Sequence, residues 1–383
     1  MAVESTVRQK IETYFSRRPV VLALLFFAAI VSFLAVTAIS RAFQARQAAL
    51  GDRWFTRGIA DLNAQRFQNA VLDFRSALRY SRDNYSYQLN LAEALIGLNR
   101  PNEAEAYLAN LWERQPENGF VNLELARVAA QRGLTDRALR YYHNAIYATW
   151  EGNQVVSRRY TRLELIEYLL KINAKTQAQA ELIALAANEG DDAIEQAQLG
   201  ALFLRAQDYE HALSAFRQSL KSDSHNPVAL GGAGLAAFRL ARYDMAEKYL
   251  QEAVAADPQD AQSATTLKTV KDVLLFDPFR HELSANQRAH VVIEDFDIAG
   301  DRLKSCSAPS ASGQSAAGQA TIADNWAKMK PRIVESALRR DPDLVESAME
   351  LVFNIERQTS TSCGTPTGPD MALLLIGRLH EGS

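Results

Sequence analysis

The chain has 383 residues, a formal net charge of −3, and 48% hydrophobic residues. This balance argues against a dedicated nucleic-acid-binding protein, which would normally carry a strongly basic surface. It also gives a chain long and apolar enough to bury a large core.

The first predicted element is an apolar segment near the N-terminus. Residues 19–40 contain no charged side chain and are mostly Val, Leu, Phe, Ala and Ile. A helix needs about 20 apolar residues to cross a hydrocarbon core roughly 30 Å thick. A cleaved signal peptide has a shorter apolar region of about 7–15 residues, although residues 42–45 offer a small-residue cleavage site. We therefore expect a retained transmembrane helix, with a cleaved signal as the alternative.

The charges that flank this segment do not decide its orientation. The nearby basic residues are Arg8, Lys10, Arg17 and Arg18 before it and Arg41, Arg46, Arg53 and Arg57 after it. The positive-inside rule compares these counts, and they tie. Arg17 and Arg18 abut the segment directly, and the opposite orientation would translocate them. We expect residues 1–18 to be a cytoplasmic tail and the rest to be extracytoplasmic, which in a bacterium means periplasmic.

Beyond the apolar segment, one spacing recurs six times. Each copy continues from its starting residue at intervals of +12, +4 and +3, as in Gly58, Ala70, Phe74 and Ala77. The starting residues are Gly58, Ala92, Ala126, Ile166, Gly200 and Gly234, which lie 34, 34, 40, 34 and 34 residues apart. A 34-residue period with small residues at fixed places is typical of stacked helical pairs.

Each copy predicts two helices joined by a turn. The starting residue lies on the first helix and is small where two helices cross closely, except in the fourth copy, where Ile166 replaces the small residue. The three later residues lie on one face of the second helix. The turns are expected at Gln65, Asn99, Gly133, Asn173, Gln207 and near Ala241. The 40-residue interval leads from the third copy to the fourth, and we call it the fourth period. It has extra residues around 152–157, where we expect a lengthened helix or a loop.

Residues 51–260 resemble the tetratricopeptide repeat (TPR) family. The resemblance implies an all-α fold: a right-handed superhelical solenoid of about six helix pairs, preceded by one transmembrane helix and followed by a small helical C-terminal module. The six units are predicted at residues 51–84, 85–118, 119–152, 159–192, 193–226 and 227–260. An irregular helical bundle is the alternative, but it does not account for the repeated period.

The same resemblance implies a concave groove lined by the first helix of each unit. The residues predicted to line it are Phe55, Ile59, Leu62, Leu89, Glu93, Ile96, Leu123, Arg127, Leu163, Glu167 and Lys171. The best-known peptide site of the family clamps a terminal carboxylate with Lys, Asn and Arg, but Phe55 and Ile59 stand at the first of those positions. The groove is apolar at its ends and charged in the middle, so an amphipathic helix or apolar segment suits it better. For any single residue, packing between helices is the alternative.

The chain after the repeats is predicted to be helical and resembles no known family. Residues 261–276 have an amphipathic pattern and would cap the last repeat. Residues 277–383 would form the C-terminal module, with further helices at about 284–304, 321–340, 343–357 and 369–380. Residues 305–319 are rich in Ser, Ala and Gly, which predicts an exposed loop.

The only two cysteines, Cys306 and Cys363, lie in this module. In an oxidising compartment such a pair is a candidate disulfide. Two unrelated thiols are the alternative, because sequence does not show the distance between them. The absence of a Cys-x-x-Cys motif argues against a zinc or thioredoxin-type site.

No sequence motif predicts catalysis. His281 and Glu282 begin a metalloprotease-like pattern, but no second His follows at the required spacing. The Gly-rich residues 231–234 lack the Lys-Ser/Thr of a phosphate loop and fall within a predicted repeat helix. We therefore expect no enzymatic activity, no cofactor and no metal ion.

Together these features predict a membrane-anchored TPR scaffold or adaptor. It would bind protein partners through the groove at the extracytoplasmic face of the membrane, in assembly, secretion or chaperoning. Residues 19–40 would contact the membrane, and nucleic acid is not an expected partner. The alternatives are an obligate structural subunit of a larger membrane complex and, more distantly, an enzyme whose site lies in the C-terminal module.

Overall fold

The protein is all-α, as predicted. The computed structural model describes residues 2–188, 190–306 and 313–380, and the side chains of 22–188, 190–306 and 321–380. Every regular element in these ranges is a helix. The chain divides into two compact units, Met1–Tyr168 and Leu169–Ser383.

Consecutive helices pack in pairs in the first unit. They are α1 (Ala2–Asn63), α2 (Phe67–Tyr80), α3 (Tyr85–Gly97), α4 (Pro101–Arg114), α5 (Gly119–Gln131), α6 (Thr135–Tyr147) and α7 (Gln154–Lys171), of which α7 ends three residues beyond the unit boundary. The C-terminal part of α1 packs on α2, and α3 on α4 and α5 on α6 follow in the same way.

The predicted membrane segment and the first repeat helix are one continuous helix. The helix α1 is 62 residues long, with no break between residues 40 and 51. Among the described residues it is a helix long and apolar enough to cross a membrane, a criterion that signal sequences and some core helices also satisfy. Its apolar side chains from Leu22 to Ile39 are largely exposed in the structure, which is unlike a core helix.

The first helix of each repeat ends at a turn residue that the sequence predicts. The six predicted turn residues Gln65, Asn99, Gly133, Asn173, Gln207 and Ala241 all have left-handed backbone, with φ between 55° and 70°. In the first turn, Gln65 N–H donates to Leu62 O at 2.9 Å and Arg66 N–H donates to Asp61 O at 2.8 Å. These two bonds satisfy carbonyl groups that the end of α1 leaves open.

A polar side chain caps the start of most first helices. The capping residues Asn84, Asn118, Asp192, Asn226 and Asp260 each accept a hydrogen bond from a backbone N–H two or three residues later. Such caps satisfy amide groups that have no partner within the helix. Most of these caps also follow the 34-residue spacing, so the period fixes both the start and the end of a helix.

The glycines that start a copy of the repeated spacing pack against the third residue of the same copy. A β-carbon at Gly58 would come 2.6 Å from the ring of Phe74, and one at Gly200 would come 2.8 Å from Phe216. Phe74 and Phe216 are fully buried. Gly232 of the next pair also lies against Phe216. These glycines are therefore packing positions within helices.

The extra residues of the fourth period form a short extended stretch and a longer helix. Thr149 exchanges backbone hydrogen bonds of 3.0 Å with Glu117 and Gly119 at the start of α5. Trp150 is buried on Gly119, and its indole N–H donates to Ala145 O at 2.8 Å. The following helix α7 has 18 residues, whereas α5 has 13.

The second unit contains the later repeat helices and the C-terminal helices. They are α8 (Lys175–Ala186), α9 (Ala193–Arg205), α10 (Tyr209–Ser222), α11 (Pro227–Arg239), α12 (Tyr243–Ala256), α13 (Ala261–Phe276), α14 (Ala285–Cys306), α15 (Gly313–Met329), α16 (Glu335–Leu338), α17 (Pro342–Ser362) and α18 (Pro369–His380). Pro331 lies in a short 3₁₀ turn, Lys330–Arg332, between α15 and α16.

The C-terminal helices share one core with the last repeat pair. Leu250 of α12, Val273 of α13, Phe296 of α14, Val352 of α17 and Leu373 of α18 all belong to the same buried cluster. The helix α13 therefore joins the repeats to the C-terminal helices and does more than cover the last layer.

Two predicted elements of the C-terminal part differ from the structure. The predicted loop 305–319 is helical where it is described: Ser305 and Cys306 end α14, and 313–319 belong to α15. Residues 307–312 lie outside the described part. Tertiary contacts stabilise α15 at its later turns, where Trp326 stacks on Phe296 of α14. The predicted helix 321–340 is interrupted, because the proline ring of Pro331 cannot continue a helix.

Candidate functional site

The apolar end of the predicted groove lies on α1 and α3. Phe55, Ile59 and Leu89 are half-buried and pack against the core of the first repeat pairs. The ring of Phe55 lies 4.9 Å from that of Tyr87, measured between centroids. These side chains combine a packed inner edge with an accessible outer one.

Three other predicted groove residues contribute mainly to packing. Leu62, Ile96 and Leu123 are buried, with 9%, 8% and 4% of their surface exposed. They support the helices that carry the groove residues and offer little surface to a ligand. This is the alternative that the sequence left open for any single position.

The charged middle of the groove is centred on Arg127, on α5. Its Nε and Nη2 donate to Oε1 and Oε2 of Glu164, on α7, at 2.8 and 2.7 Å. Its Nη1 donates to Oε1 of Glu124 at 2.5 Å. The hydroxyl of Tyr142, on α6, donates to Glu164 Oε1 at 3.1 Å, and the Tyr160 hydroxyl lies 3.4 Å from Arg127 Nη2. Side chains of α5 and α7 therefore hold this guanidinium in place, and Tyr142 of α6 supports Glu164.

Two further carboxyl groups respond to the same guanidinium. Burial raises the pKa of Glu124 to about 7, while Arg127 opposes the rise and the charges of Glu93 and Glu164 add to it. Burial also raises the pKa of Glu93, on α3, and Arg127 again opposes it. We call Glu93, Glu124, Arg127, Tyr142, Tyr160 and Glu164 the Arg127 cluster.

The structure brings together only part of the predicted charged set. Glu93 and Arg127 belong to the cluster, and Leu163 is half-buried on α7 beside Glu164. Glu167 and Lys171 are exposed further along α7, and Lys171 belongs to the second unit. Of the predicted charged groove residues, Glu93 and Arg127 therefore meet in the Arg127 cluster, which lies in the first unit.

Sequence reasoning missed three members of the cluster, Glu124, Tyr142 and Tyr160. Glu124 was not expected because it lies two residues before Ala126, on the side of α5 that faces its neighbours. Its spacing of three residues from Arg127 was the available signal, since such pairs meet on a helix. Tyr142 stands at the third position of its copy of the repeated spacing, which predicts only packing, but a buried tyrosine hydroxyl usually has a hydrogen-bond partner.

In the second unit the two cysteines are joined as a disulfide. Cys306 ends α14 and Cys363 follows α17, with their α-carbons 5.8 Å apart. The bond links two helices of the shared C-terminal core. Among the described residues, no cluster of three or more His, Cys, Asp or Glu side chains has a geometry that could hold a metal ion.

Comparison with known proteins supports a repeat architecture. A family model described as tetratricopeptide repeat matches residues 62–119 and 203–269. No curated protein matches the chain.

Several solved structures are similar to parts of the chain. YrrB, a TPR protein with an unusual peptide-binding site, is 18% identical over 50% of this chain and 95% of its own, with a TM-score of 0.39. PilF of Pseudomonas aeruginosa is 14% identical over 57% and 96%, with a TM-score of 0.40. The C-terminal part of a TPR repeat-containing protein of Cytophaga hutchinsonii is 10% identical over 62% and 92%, with a TM-score of 0.46. Such distant likenesses say nothing about a partner. The two matched stretches fall on paired helices of the structure and are similar to tetratricopeptide repeats.

Proposed function

We propose that this protein is a membrane-anchored scaffold or adaptor that binds protein partners in its TPR groove at the extracytoplasmic face of the membrane. Assembly, secretion or chaperoning would be its setting. The observation that carries the proposal is the half-burial of Phe55, Leu89, Glu93, Arg127 and Leu163 on successive first helices. Such residues are held in place by packing yet keep an accessible edge, as a binding surface requires.

The exposed apolar part of α1 supports the membrane anchor. The side chains of Leu24, Phe26 and Phe33 are each more than 60% exposed. A contiguous apolar surface of this kind needs a partner or a lipid environment. The disulfide supports an extracytoplasmic location, because disulfides persist in oxidising compartments.

A pair of leucines allows a direct test of the groove. A photo-crosslinking amino acid would be placed in cells either at Leu89, in the groove, or at Leu72, which is 53% exposed on the second helix α2. We expect discrete protein adducts from position 89 and few from position 72. Equal adducts from both positions, or none from position 89, would contradict groove binding.

The state of the recovered partners tests the alternative of an obligate subunit. A scaffold would release its partners in high salt and hold them below equimolar amounts. Stoichiometric partners that survive high salt after extraction in mild detergent would favour the structural subunit.

Topology has its own measurement. A reporter that is active only outside the cytoplasm would be fused after Ser383, and a cytoplasmic reporter would be fused at the same place in a second strain. Activity of the cytoplasmic reporter alone would overturn the proposed orientation.

A further inference from the structure

The Arg127 cluster carries more negative than positive charge. Arg127 is the positive group, and Glu93, Glu124 and Glu164 interact with one another or with it. The bidentate pair with Glu164 occupies two of the guanidinium nitrogens. Because the pKa of Glu124 is about 7, the cluster has an excess of between one and two negative charges near neutral pH, according to the ionisation of Glu124.

One carboxylate oxygen of the cluster has no partner. Glu124 is 6% exposed, and its Oε2 accepts no hydrogen bond from the described residues. A buried polar atom without a hydrogen bond is costly to the folded state. The second oxygen, Oε1, is already bound to Arg127 Nη1. The charge of Glu124 is therefore only partly neutralised within the cluster, by the single hydrogen bond from Arg127.

Glu93 offers a second carboxylate at the same place. It is half-buried on α3, and its charge adds to that on Glu124. It makes no hydrogen bond within the described part of the chain and is influenced by Arg127 through charge alone. An accessible carboxylate with free acceptor capacity beside a second, buried negative charge suits an ammonium or guanidinium group, which carries several donors.

Apolar side chains flank the cluster on both sides. On one side are Phe55, which belongs to α1, and Leu89, which belongs to α3. On α7, Val156, Tyr160 and Leu163 follow at i, i+4 and i+7 and so share one face. Val156 and Tyr160 are 60% and 56% exposed. The additional turn of α7 supplies Val156, so the extra residues of the fourth period extend this surface.

We propose that the Arg127 cluster binds the cationic side chain, Lys or Arg, of an otherwise apolar protein segment that occupies the groove. The inference rests on the proposed function, because it names the chemistry of a groove ligand. The cation pairs with the half-buried Glu93 carboxylate, and the charge of the buried Glu124 adds to the attraction. The apolar neighbours of the cation contact Leu89 on one side and the exposed face of α7 on the other. The charge excess distinguishes this ligand from an acidic peptide terminus, which the carboxylates would repel.

The test starts from a displayed library of random peptides selected on the whole chain in a zwitterionic detergent. We expect the selected peptides to share one Lys or Arg between apolar residues. A selected peptide would then be synthesised with its basic residue and with norleucine in its place. Norleucine keeps the apolar stem of lysine and removes the charge.

Binding of both peptides would be measured to the unmodified protein and to the double variant Glu93→Gln/Glu124→Gln. We expect norleucine to weaken binding at least tenfold in the unmodified protein and less than twofold in the double variant. The control variant Glu113→Gln removes an exposed carboxylate on α4 and should leave both affinities within twofold. If Glu124→Gln prevents folding, Glu93→Gln alone should reduce the effect of norleucine at least threefold.

The outcomes separate the inference from the proposed function. Apolar peptides selected without a basic residue, or an undiminished effect of norleucine in the double variant, would overturn the cation site and leave groove binding intact. Selection of acidic peptides would do the same. Failure to select any peptide, together with no crosslinks from position 89, would contradict both.

Discussion

Trp150 lies across the α-carbon of Gly119, so a β-carbon at residue 119 would overlap the indole ring. The ring is also held by its hydrogen bond to Ala145 O. We therefore predict that Gly119→Ala destabilises the protein by about 1–3 kcal/mol, the usual effect of overpacking. Denaturant unfolding of the detergent-solubilised chain, followed by circular dichroism, measures the change.

The matched control for that substitution is Gly190→Ala. A β-carbon at Gly190 would meet nothing within 4 Å. Its stability should stay within about 0.5 kcal/mol of the unmodified protein. Equal effects of the two substitutions would show that the Trp150 contact contributes nothing specific.

The left-handed turns predict opposite effects for two substitutions. Ala241 has φ of 55°, where glycine is favoured, and Gly133 has φ of 70° in the equivalent turn. Ala241→Gly should stabilise the protein by a few tenths to about 1 kcal/mol, and Gly133→Ala should destabilise it by about 1 kcal/mol. Thermal unfolding of both variants gives the two signs. The same sign for both would argue against backbone strain as the cause.

The raised pKa of Glu356 predicts a free energy of unfolding that falls as pH rises. It is fully buried on α17, and burial together with Asp370 raises its pKa to about 8, although Arg302 lowers it. Its pKa in the unfolded chain is near the ordinary 4.5. Between these values the folded protein holds a proton that the unfolded chain has lost, so unfolding becomes easier from pH 4.5 to about 8. The stabilising contribution is complete below pH 4.5.

The variant Glu356→Gln isolates this effect. The amide keeps the shape of the protonated acid and does not ionise. We expect the melting temperature of the unmodified protein to fall more between pH 5 and pH 9 than that of the variant. The two curves should be closest at pH 5, and parallel curves over the whole range would contradict the assignment.

Removal of the Arg127 guanidinium should be more harmful at high pH. Arg127→Met leaves the buried Glu124 carboxyl, whose pKa is about 7, beside Glu93 and Glu164 without a cation. Breaking such a pair destabilises by about 3–5 kcal/mol when the partner is fully buried. We expect a smaller loss at pH 5, where Glu124 is protonated. Adding Glu124→Gln to Arg127→Met should recover part of the loss at pH 8, and no recovery would argue against charge as the cause.

The disulfide predicts both a stability change and a labelling pattern. Cys306 and Cys363 are 57 residues apart. Closing such a loop stabilises the folded state by about 4 kcal/mol in the chain-entropy model. Cys306→Ser should lower stability by up to that amount, and the thiols of the unmodified protein should resist maleimide in cells until a reductant is added. Immediate labelling would indicate a reducing compartment.

The helices and turns of the repeats could be predicted because their causes are local. Three features recur at fixed distances along the chain. They are a turn residue with positive φ, a capping Asn or Asp, and a small residue packed against a larger buried one, as Gly58 is against Phe74. The Arg127 cluster could be predicted only in part. Its main ion pair joins residues 37 positions apart, and their contact depends on how α5 and α7 pack, which periodicity does not specify.

The errors near the C-terminus have a different origin. The Ser and Gly content of residues 305–319 indicated a loop, but tertiary contacts decide the conformation of the helix that follows. Trp326 of α15 stacks on Phe296 with centroids 5.7 Å apart, and its indole N–H donates to Phe296 O at 3.0 Å. No repeat spacing connects these two residues, so sequence alone does not predict that they meet.

Because α1 is uninterrupted, the number of residues between the apolar segment and the first repeat sets both their separation and their relative rotation. Each residue of an α-helix advances the chain by about 1.5 Å and rotates it by about 100°. The ten residues 41–50 therefore separate the apolar segment from the first repeat by about 15 Å. One inserted or deleted residue in this stretch would rotate the first repeat pair by about 100° about the axis of α1. The number of residues in 41–50, as well as their chemistry, thus sets the direction in which the first repeat pair faces about the axis of the apolar segment.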